Sequence, residues 1–544
     1  MLDSHHRGNC RFTVHPKTSG IWSMCRVPSF STKLSFLSSL IASRPCAPRF
    51  LSARAMVCVC NATYCDTMDP VSIPAVGRFV KYESTRAGGR LERSEGVIQP
   101  STSGSGLRYT YNPFVHYQRI KGFGGSLTDA AAINIMRLSP AAQDHLLRSY
   151  FSEEGIEYNL LRLPMACSDF STRAYSYADQ CANDYDLRCF SLAYEDTELR
   201  IPLLHRFVAA AKRHLSLIGS PWSAPGWLRT NNQVMGKARL KGEPGDIHHK
   251  TWARYFVRFL DEYARHNVTF WAVTAQNEPS SSVFIPMKNF PMTQFSPEKQ
   301  RDFIIADLGP ALAASRHKDV LLIIHDDQRI HLPNWANVVI GNSSAARYVA
   351  GIGIHWYLDS VTPPGLTLEA TYLLFPDFFL LYTESCNGFR VWEPRVDLGS
   401  WERGVRYSQN ILTNLNSFIV GWIDWNLVLD MEGGPNYVKN HVDSPIIVNP
   451  LRDEFYKQPM FYHLAHFSKF IPEGSIRVAM TKNFEITGCQ LQSTGFVRPD
   501  GIAVVVVLNK CSWDVNFSIA DDQLGDIEDI APAQSIQTYL WERR

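Results

Sequence analysis

The stretch Thr269-Phe-Trp-Ala-Val-Thr-Ala-Gln-Asn-Glu278 is an apolar run that ends in two amide residues and an acid, and a similar unit recurs along the chain. Each unit has a β-rich apolar run with one or two polar residues at its end, and a segment with helical patterning follows. The helical part is clear in Trp252-Ala-Arg-Tyr-Phe-Val-Arg-Phe-Leu-Asp-Glu-Tyr-Ala264. The other seven apolar runs lie at residues 121–125, 158–165, 215–222, 320–326, 351–357, 379–384 and 418–425.

Continuous apolar strands that alternate with amphipathic helices indicate parallel strands that are buried on both faces. Eight such units over about 300 residues predict an α/β fold of the (β/α)₈ or TIM-barrel type. We assign residues 118–426 plus 459–474 to this barrel. A doubly wound open sheet is the alternative, and it is less favoured because eight units suit closure.

The two ends of the chain have a different pattern. Residues 72–117 and 475–544 alternate apolar and polar positions between turns, as in Gly501–Asn509, and predict a flanking antiparallel β-sandwich-like domain. Residues 427–458 interrupt the barrel pattern with Gly, Pro and Asn. Together with residues 44–71 they predict a small Cys-rich antiparallel β-sheet domain.

Four of the 12 cysteines crowd into the segment from Cys46 to Cys65, with Cys58 and Cys60 between them. Such a cluster without a nearby His indicates two disulfides in an oxidising compartment. A zinc site is the alternative, but the one-residue gap between Cys58 and Cys60 is not a usual zinc spacing. The sequence therefore favours disulfides.

Residues 1–43 are typical of a targeting leader. Read from Met24, Arg26 and Lys33 precede a short apolar run at residues 34–42, and cleavage near Ser43 would release the Cys cluster. No run of about 18 apolar residues occurs, so no membrane span is predicted. Four sequons agree with a secreted route, and their asparagines are Asn61, Asn267, Asn342 and Asn516.

The charge balance indicates neither a nucleic-acid binder nor an acidic tail, since the formal net charge of the 544 residues is +2. Residues 1–43 carry +4 of it, which leaves −2 on the remainder, where 14 His could raise the charge to at most +12 in acid. A surface that becomes cationic near pH 5 favours anionic lipid.

The chemistry of a TIM barrel lies at the carboxyl ends of its strands, so the residues there are the first candidates for a site. The fourth apolar run ends in Glu278 and the seventh in Glu384. One acid alone would be read as a solvated surface charge. Two acids at the ends of apolar strands can instead approach across the barrel mouth, and a pair about 5–5.5 Å apart supports retaining glycoside hydrolysis.

These residues resemble the clan A glycoside hydrolases, in which Asn-Glu-Pro ends strand four and a Glu ends strand seven. Further motifs resemble the animal lysosomal glucosylceramidases (acid β-glucosidases) over residues 44–544. They are Lys121-Gly-Phe-Gly-Gly125, Asn61-Ala-Thr-Tyr-Cys-Asp66, Ser152-Glu-Glu-Gly155, His355-Trp-Tyr-Leu-Asp359, Asp424-Trp-Asn-Leu427, Gly433-Gly-Pro-Asn436, Asp443-Ser-Pro-Ile-Ile447 and Phe467-Ser-Lys-Phe-Ile-Pro-Glu-Gly474.

The resemblance implies that Glu278 is the acid/base and Glu384 the nucleophile. It also implies a set of glucose-binding positions, namely Asp169, Trp222, Asn277, Trp425 and Asn440. From its place at the end of strand two, Arg162 could hold a carboxylate or form a structural ion pair. We expect Tyr357 near the nucleophile, His355 as an indirect donor, and Trp356 in the core.

Other polar residues are weaker candidates. His325-Asp326-Asp327 has no second ligand cluster that would indicate a metal, and Cys386 has no His/Asn arrangement that would indicate a thiol nucleophile. The chain departs from the family pattern at Gln276, where Glu is expected, and in the loop Ser280–Pro291. That loop would line the aglycone entrance.

The resemblance implies a retaining β-glucosidase that hydrolyses glucosylceramide in the lysosome, without a cofactor or metal. Its implied partners are a saposin C-type activator and an anionic phospholipid surface. One rival is a non-catalytic lipid-binding or trafficking protein on an inactive barrel. The other is a broad β-glucosidase or β-xylosidase of the same clan.

Overall fold

The computed structural model describes residues 43–101, 106–280, 289–484 and 488–543. The leader expected at residues 1–43 therefore lies outside the described residues except for Ser43. Most of the loop at residues 280–291 lies outside them as well. Among the described residues, no helix has the length and apolar character needed to cross a membrane.

Eight parallel strands form a closed barrel, which confirms the TIM-barrel prediction and excludes the open sheet. Neighbouring strands pair in chain order, and the eighth closes the barrel on the first, with Gly421 opposite Gly122. The strands are Gly122–Ser126, Leu160–Met165, Ser216–Pro221, Ala272–Thr274, Leu321–Gln328, Gly351–His355, Phe379–Glu384 and Ile419–Asn426.

Helices surround this barrel, and the longest shows why the chain folds as its pattern predicts. Asp246 caps Ile247–Arg265 by accepting hydrogen bonds from the backbone N–H groups of His248 and His249, while the apolar face is buried. The other α-helices are Asp129–Met136, Pro140–Phe151, Ile201–Ala210, Pro297–Phe303, Gly309–Ala314, Asn334–Val339, Ser343–Ala346, Leu368–Leu374, Trp401–Leu415 and Pro459–Ser468.

Both ends of the chain contribute to a nine-stranded sheet beside the barrel. Its inner strand Ala503–Asn509 is apolar at nearly every position because both faces are buried. Val504 and Val506 pack in the main core, and Val505 and Val507 pack in a separate core. In spatial order the strands are Gly525–Ala531, Val515–Asp521, Leu107–Arg119, Ile476–Lys482, Gln492–Val497, Ala503–Asn509, Ser535–Trp541, Arg78–Thr85 and Glu92–Val97.

The expectation of purely antiparallel sheets is wrong at two places. In the nine-stranded sheet, Val515–Asp521 runs parallel to Leu107–Arg119. In the small five-stranded sheet, Val428–Asp430 runs parallel to Ile446–Asn449. Apolar alternation shows which face of a strand is buried and does not reveal its direction relative to a distant partner. The small sheet has the spatial order Pro48–Ser52, Ala55–Asn61, Glu454–Lys457, Ile446–Asn449 and Val428–Asp430, and a two-stranded sheet pairs Gly236–Ala238 with Pro291–Thr293.

The cysteine cluster forms two disulfides, Cys46–Cys58 and Cys60–Cys65, as the sequence predicted. These bonds leave none of the four thiols free for zinc. Two further disulfides, Cys181–Cys189 and Cys489–Cys511, were not predicted, because widely scattered cysteines give no pairing signal. Among the described cysteines, Cys167 and Cys386 are free, and both are buried.

Candidate active site

A cavity of about 670 Å³ opens where the barrel strands end. Seven of the residues predicted for the site lie directly at or after strand ends and line this cavity, as the barrel geometry requires. They are Asp169, Trp222, Asn277, Glu278, Tyr357, Glu384 and Trp425. Asn440, from the loop between the small-sheet strands Val428–Asp430 and Ile446–Asn449, also lines the cavity.

Glu384 is the last residue of the seventh strand, and both of its carboxylate oxygens are held. Arg162 donates from Nη1 to Oε2 at 2.7 Å, and the Tyr357 hydroxyl donates to Oε1 at 2.7 Å. Burial raises the pKa of Glu384, while the positive charges of His355 and Arg162 oppose that rise. The two donors and the two positive charges favour the ionised form that can attack, and they offset part of the effect of burial.

Glu278 follows the fourth strand in a left-handed backbone conformation, with φ at 42°. Its Oε1 accepts a hydrogen bond from Gln328 Nε2 at 2.9 Å and lies 3.0 Å from His355 Nδ1. A carboxylate oxygen of Glu278 lies within 4.8 Å of one of Glu384. Such closeness matches the separation of about 5–5.5 Å that supports a covalent, retaining mechanism.

His355 connects the acid of strand four to Asp326 on strand five. Its Nε2 lies 3.1 Å from Asp326 Oδ1, and Arg162 donates from Nη2 to Asp326 Oδ2 at 2.8 Å. Burial alone would lower the pKa of His355, but the carboxylates of Glu384, Asp326 and Glu278 outweigh it and raise that pKa to about 10. His355 is therefore an imidazolium that donates to both neighbours.

Glu278, His355 and Glu384 could together offer three ligand atoms to a metal ion. In this structure their side chains are instead engaged in hydrogen bonds. Both ring nitrogens of His355 face carboxylates. A protonated imidazole has no lone pair for a metal. This cluster is thus built for proton chemistry.

Two tryptophans form an apolar wall of the cavity. The rings of Trp222 and Trp425 are stacked with centroids 5.1 Å apart, and the Arg162 guanidinium lies 4.8 Å from the centroid of Trp222. On another wall Asn440 donates to Asp169 at 3.0 Å, and burial together with the charge of Glu384 raises the pKa of Asp169 to about 8. An apolar wall beside a carboxyl group is suited to a sugar ring with several hydroxyls.

The outer rim of the cavity is strongly apolar, and this was not predicted from the sequence. The side chains of Val361, Val391 and Trp392 are 69%, 81% and 77% exposed. All three line the cavity, together with the buried Phe290. Large apolar groups exposed at a cavity mouth indicate a surface that contacts an apolar ligand or a membrane.

The sequence reasoning also missed the part played by strand five. Asp326 was discounted with the His325-Asp326-Asp327 motif, yet it accepts from Arg162 and from Thr383 Oγ1 at 2.6 Å. His325 and Asp326 have φ of 68° and 54°, and the strand has a register shift at this point. A bulge of this kind leaves no periodic signal; only the position of the motif at a strand end pointed to it.

The structure explains why Gln276 stands where the family pattern has Glu, and why Cys386 is not a nucleophile. Gln276 Nε2 donates to the backbone carbonyls of Pro221 at 3.0 Å and Trp222 at 2.8 Å, contacts for which a carboxylate has no donor. Burial raises the pKa of the Cys386 thiol well above its usual range, so this thiol stays protonated and is a poor nucleophile.

Comparison with known proteins agrees with this geometry. The chain is 54% identical over 502 residues to the lysosomal acid glucosylceramidase of Mus musculus, covering 92% of this chain and 96% of the mouse protein. It is 41% identical to the putative glucosylceramidase 4 of Caenorhabditis elegans, over 88% of this chain and 92% of that protein.

Among solved structures, SrfJ from Salmonella typhimurium superimposes with a TM-score of 0.78 at 27% identity, covering 86% of this chain and all of that one. Residues 120–471 match the Glycosyl hydrolase family 30 TIM-barrel domain, and residues 474–539 match the Glycosyl hydrolase family 30 beta sandwich domain. The chain therefore belongs to glycosyl hydrolase family 30.

Proposed function

We propose that this glycoside hydrolase is a retaining β-glucosidase that cleaves glucosylceramide into glucose and ceramide. The observation that carries the proposal is the carboxylate pair of Glu278 and Glu384, held within 4.8 Å at the base of a cavity with an apolar rim. The similarity to a mouse enzyme named for glucosylceramide supports the choice of substrate.

In the first step Glu384 attacks the anomeric carbon while Glu278 gives its proton to the leaving oxygen. The bond between the sugar and ceramide breaks as the bond to Glu384 forms. In the second step Glu278, now a base, takes a proton from water, which displaces Glu384 and releases glucose. Two inversions retain the β configuration.

The walls of the cavity support recognition of glucose. Asp169 can bind two sugar hydroxyls, and Asn277 can bond the 2-hydroxyl, a contact that strengthens in the transition state. Arg162 donates to Asn277 Oδ1 at 2.7 Å, which orients the amide so that its nitrogen is available to donate. Trp222 and Trp425 can pack against the apolar face of the ring.

The exposed rim supports a substrate presented by a lipid surface. Val361, Val391 and Trp392 can contact the apolar chains of ceramide while the sugar enters the cavity. A saposin C-type activator and an anionic phospholipid surface are the partners that we propose on this side of the barrel.

The lysosome, reached through the secretory pathway, is the proposed site of action. Four disulfides are typical of an oxidising compartment. The sequon residues Asn267, Asn342 and Asn516 are exposed, and Asn61 is half-buried, so all four stay candidates for glycosylation.

The charge change expected in acid is smaller than the sequence suggested. Burial lowers the pKa of His325 and of His466 to about 3, and that of His463 well below its usual value. These three side chains stay neutral near pH 5, so the upper bound of +12 is too high and becomes +9. The remaining increase still favours anionic lipid.

The substrate is tested by direct competition. Glucosylceramide in anionic vesicles, a soluble short-chain β-glucoside and a β-xyloside are offered between about pH 4 and 8. We expect preference for the glucosides, a bell-shaped profile that peaks in acid for the soluble one, and a vesicle effect that salt weakens. Preference for the xyloside would favour the rival enzyme, and lack of all turnover would favour a lipid-binding protein.

The charge of His355 predicts a specific change in the pH profile. His355→Gln removes a cation that holds down the pKa of Glu384, so that pKa rises and the nucleophile is protonated at higher pH. Activity is lost as pH falls through this pKa, so the acid limb of kcat/KM moves upward. We expect a loss of about 10-fold near neutral pH and a larger one near pH 4.5.

The control for this measurement is His325→Gln. His325 lies on the neighbouring strand, is buried, and is neutral over the whole range because its pKa is about 3. Its substitution removes no charge, so the acid limb stays in place. An unmoved acid limb in His355→Gln would contradict the electrostatic role of the imidazolium.

A further inference from the structure

We propose that Gln328 is a positioning residue that selects which oxygen of Glu278 exchanges the proton with the leaving group. This inference rests on the proposed β-glucosidase function. It concerns a side chain that contacts the acid/base and lies outside the set of residues that line the sugar cavity.

The two carboxyl oxygens of Glu278 have unequal surroundings. Oε1 accepts from Gln328 Nε2 at 2.9 Å and faces the protonated His355 at 3.0 Å. Oε2 has no hydrogen-bond partner among the described residues, and Glu278 lines the cavity. An oxygen that already faces two donors cannot carry the proton without losing one of them. Oε2 is therefore the oxygen that gives the proton and takes it back.

One donor would hold the carboxyl group less firmly than two. The terminal torsion of Glu is broad, so a carboxyl group anchored by His355 alone can rotate and turn its proton away from the cavity. Gln328 approaches from strand five and His355 from strand six, and together they fix the plane of the group. The consequence is a transferable proton that points at the leaving oxygen.

The backbone of strand five places Gln328 for this contact. The register against strand six shifts between His325 and Asp327, and both His325 and Asp326 have positive φ. A bulge redirects the side chains that follow it. The carbonyl of Asp326 also accepts a hydrogen bond from the backbone N–H of Glu278 at 2.9 Å. The bulge therefore positions both Gln328 and the backbone of Glu278.

Within the part of the chain that the structure describes, only one of the two polar atoms of the Gln328 amide has a hydrogen-bond partner. Its Oε1 is buried without a hydrogen-bond partner among the described residues, while its nitrogen is committed to Glu278. Buried polar atoms are normally paired, and an exception calls for an explanation. The donation to Glu278 explains this exception. If the amide were rotated by 180°, Gln328 Oε1 would face Glu278 Oε1, and two acceptors would repel each other.

The test is Gln328→Met, a substitution of similar shape that removes the donor. For an alkyl β-glucoside, whose leaving group needs protonation, we expect kcat/KM to fall about 10-fold. Glu278 becomes negatively charged as it gives up its proton, and the loss corresponds to one hydrogen bond to that developing charge. For 2,4-dinitrophenyl β-glucoside we expect less than about a 3-fold change, because this leaving group needs little proton transfer. Rates are normalised to active sites titrated with a 2-deoxy-2-fluoro glucoside, so partial misfolding does not affect the comparison.

The matched control is Gln276→Met. Gln276 is also buried and close to Glu278 in sequence, but its amide nitrogen donates to backbone carbonyls. We expect lower thermal stability without selectivity between leaving groups. Equal losses for both substrates in Gln328→Met, or the same selectivity in Gln276→Met, would overturn the proposal. A wild-type enzyme inactive on both glucosides would instead overturn the proposed function.

Discussion

Glu384→Gln lowers kcat by a factor of ~10⁴ or more, because an amide can neither attack the anomeric carbon nor leave from it as a carboxylate does. The substitution keeps the size of the side chain. Arg162 loses one of its two charged partners and retains the other, the carboxylate of Asp326 at 2.8 Å. We would measure turnover of an aryl β-glucoside and map the peptide labelled by a 2-deoxy-2-fluoro glucoside in the wild-type enzyme.

The control for this variant is Glu369→Gln. Glu369 is half-buried on the helix Leu368–Leu374 and accepts from Ser417 Oγ at 2.9 Å, away from the cavity. It should keep wild-type rates. A label that maps to a residue other than Glu384, or a Glu384→Gln enzyme with wild-type turnover, would refute the nucleophile assignment.

Glu278→Gln lowers kcat/KM for an alkyl β-glucoside about 10³-fold, within the range of general acid catalysis. An activated aryl glucoside suffers far less in glycosylation, since its leaving group needs little protonation. Deglycosylation then becomes slow, because water has no base. Azide needs no base, so it should accelerate turnover and form a β-glucosyl azide, which can be identified by its anomeric configuration.

The contrast between the two variants is the decisive measurement. Azide should not restore this reaction in Glu384→Gln, because that variant never forms the covalent intermediate. If azide has no effect on Glu278→Gln and all leaving groups are slowed equally, Glu278 is not the acid/base.

The barrel and its pair of acids could be predicted from local sequence patterns. Eight apolar runs are continuous because each barrel strand is buried on both faces, so burial itself produces the signal that predicts the barrel. The polar residues that end these runs had to lie together, because parallel strands in a barrel share one carboxyl end. Glu278 and Glu384 were therefore recognisable as a pair from their positions alone.

Hydrogen bonds, strand pairings and disulfides between segments that are far apart in sequence could be seen only in the tertiary structure. Arg162 and Glu384 are 222 residues apart and meet at 2.7 Å, and no periodicity encodes such a bond. The same holds for the parallel pairing of Val515–Asp521, for the disulfide Cys489–Cys511, and for the contact of Gln328 with Glu278. The sequence determined where the strands lie and which acids end them. The closed barrel and its bulge at Asp326 determined which oxygen each donor reaches, because hydrogen bonds depend on the distances and angles that only packing fixes.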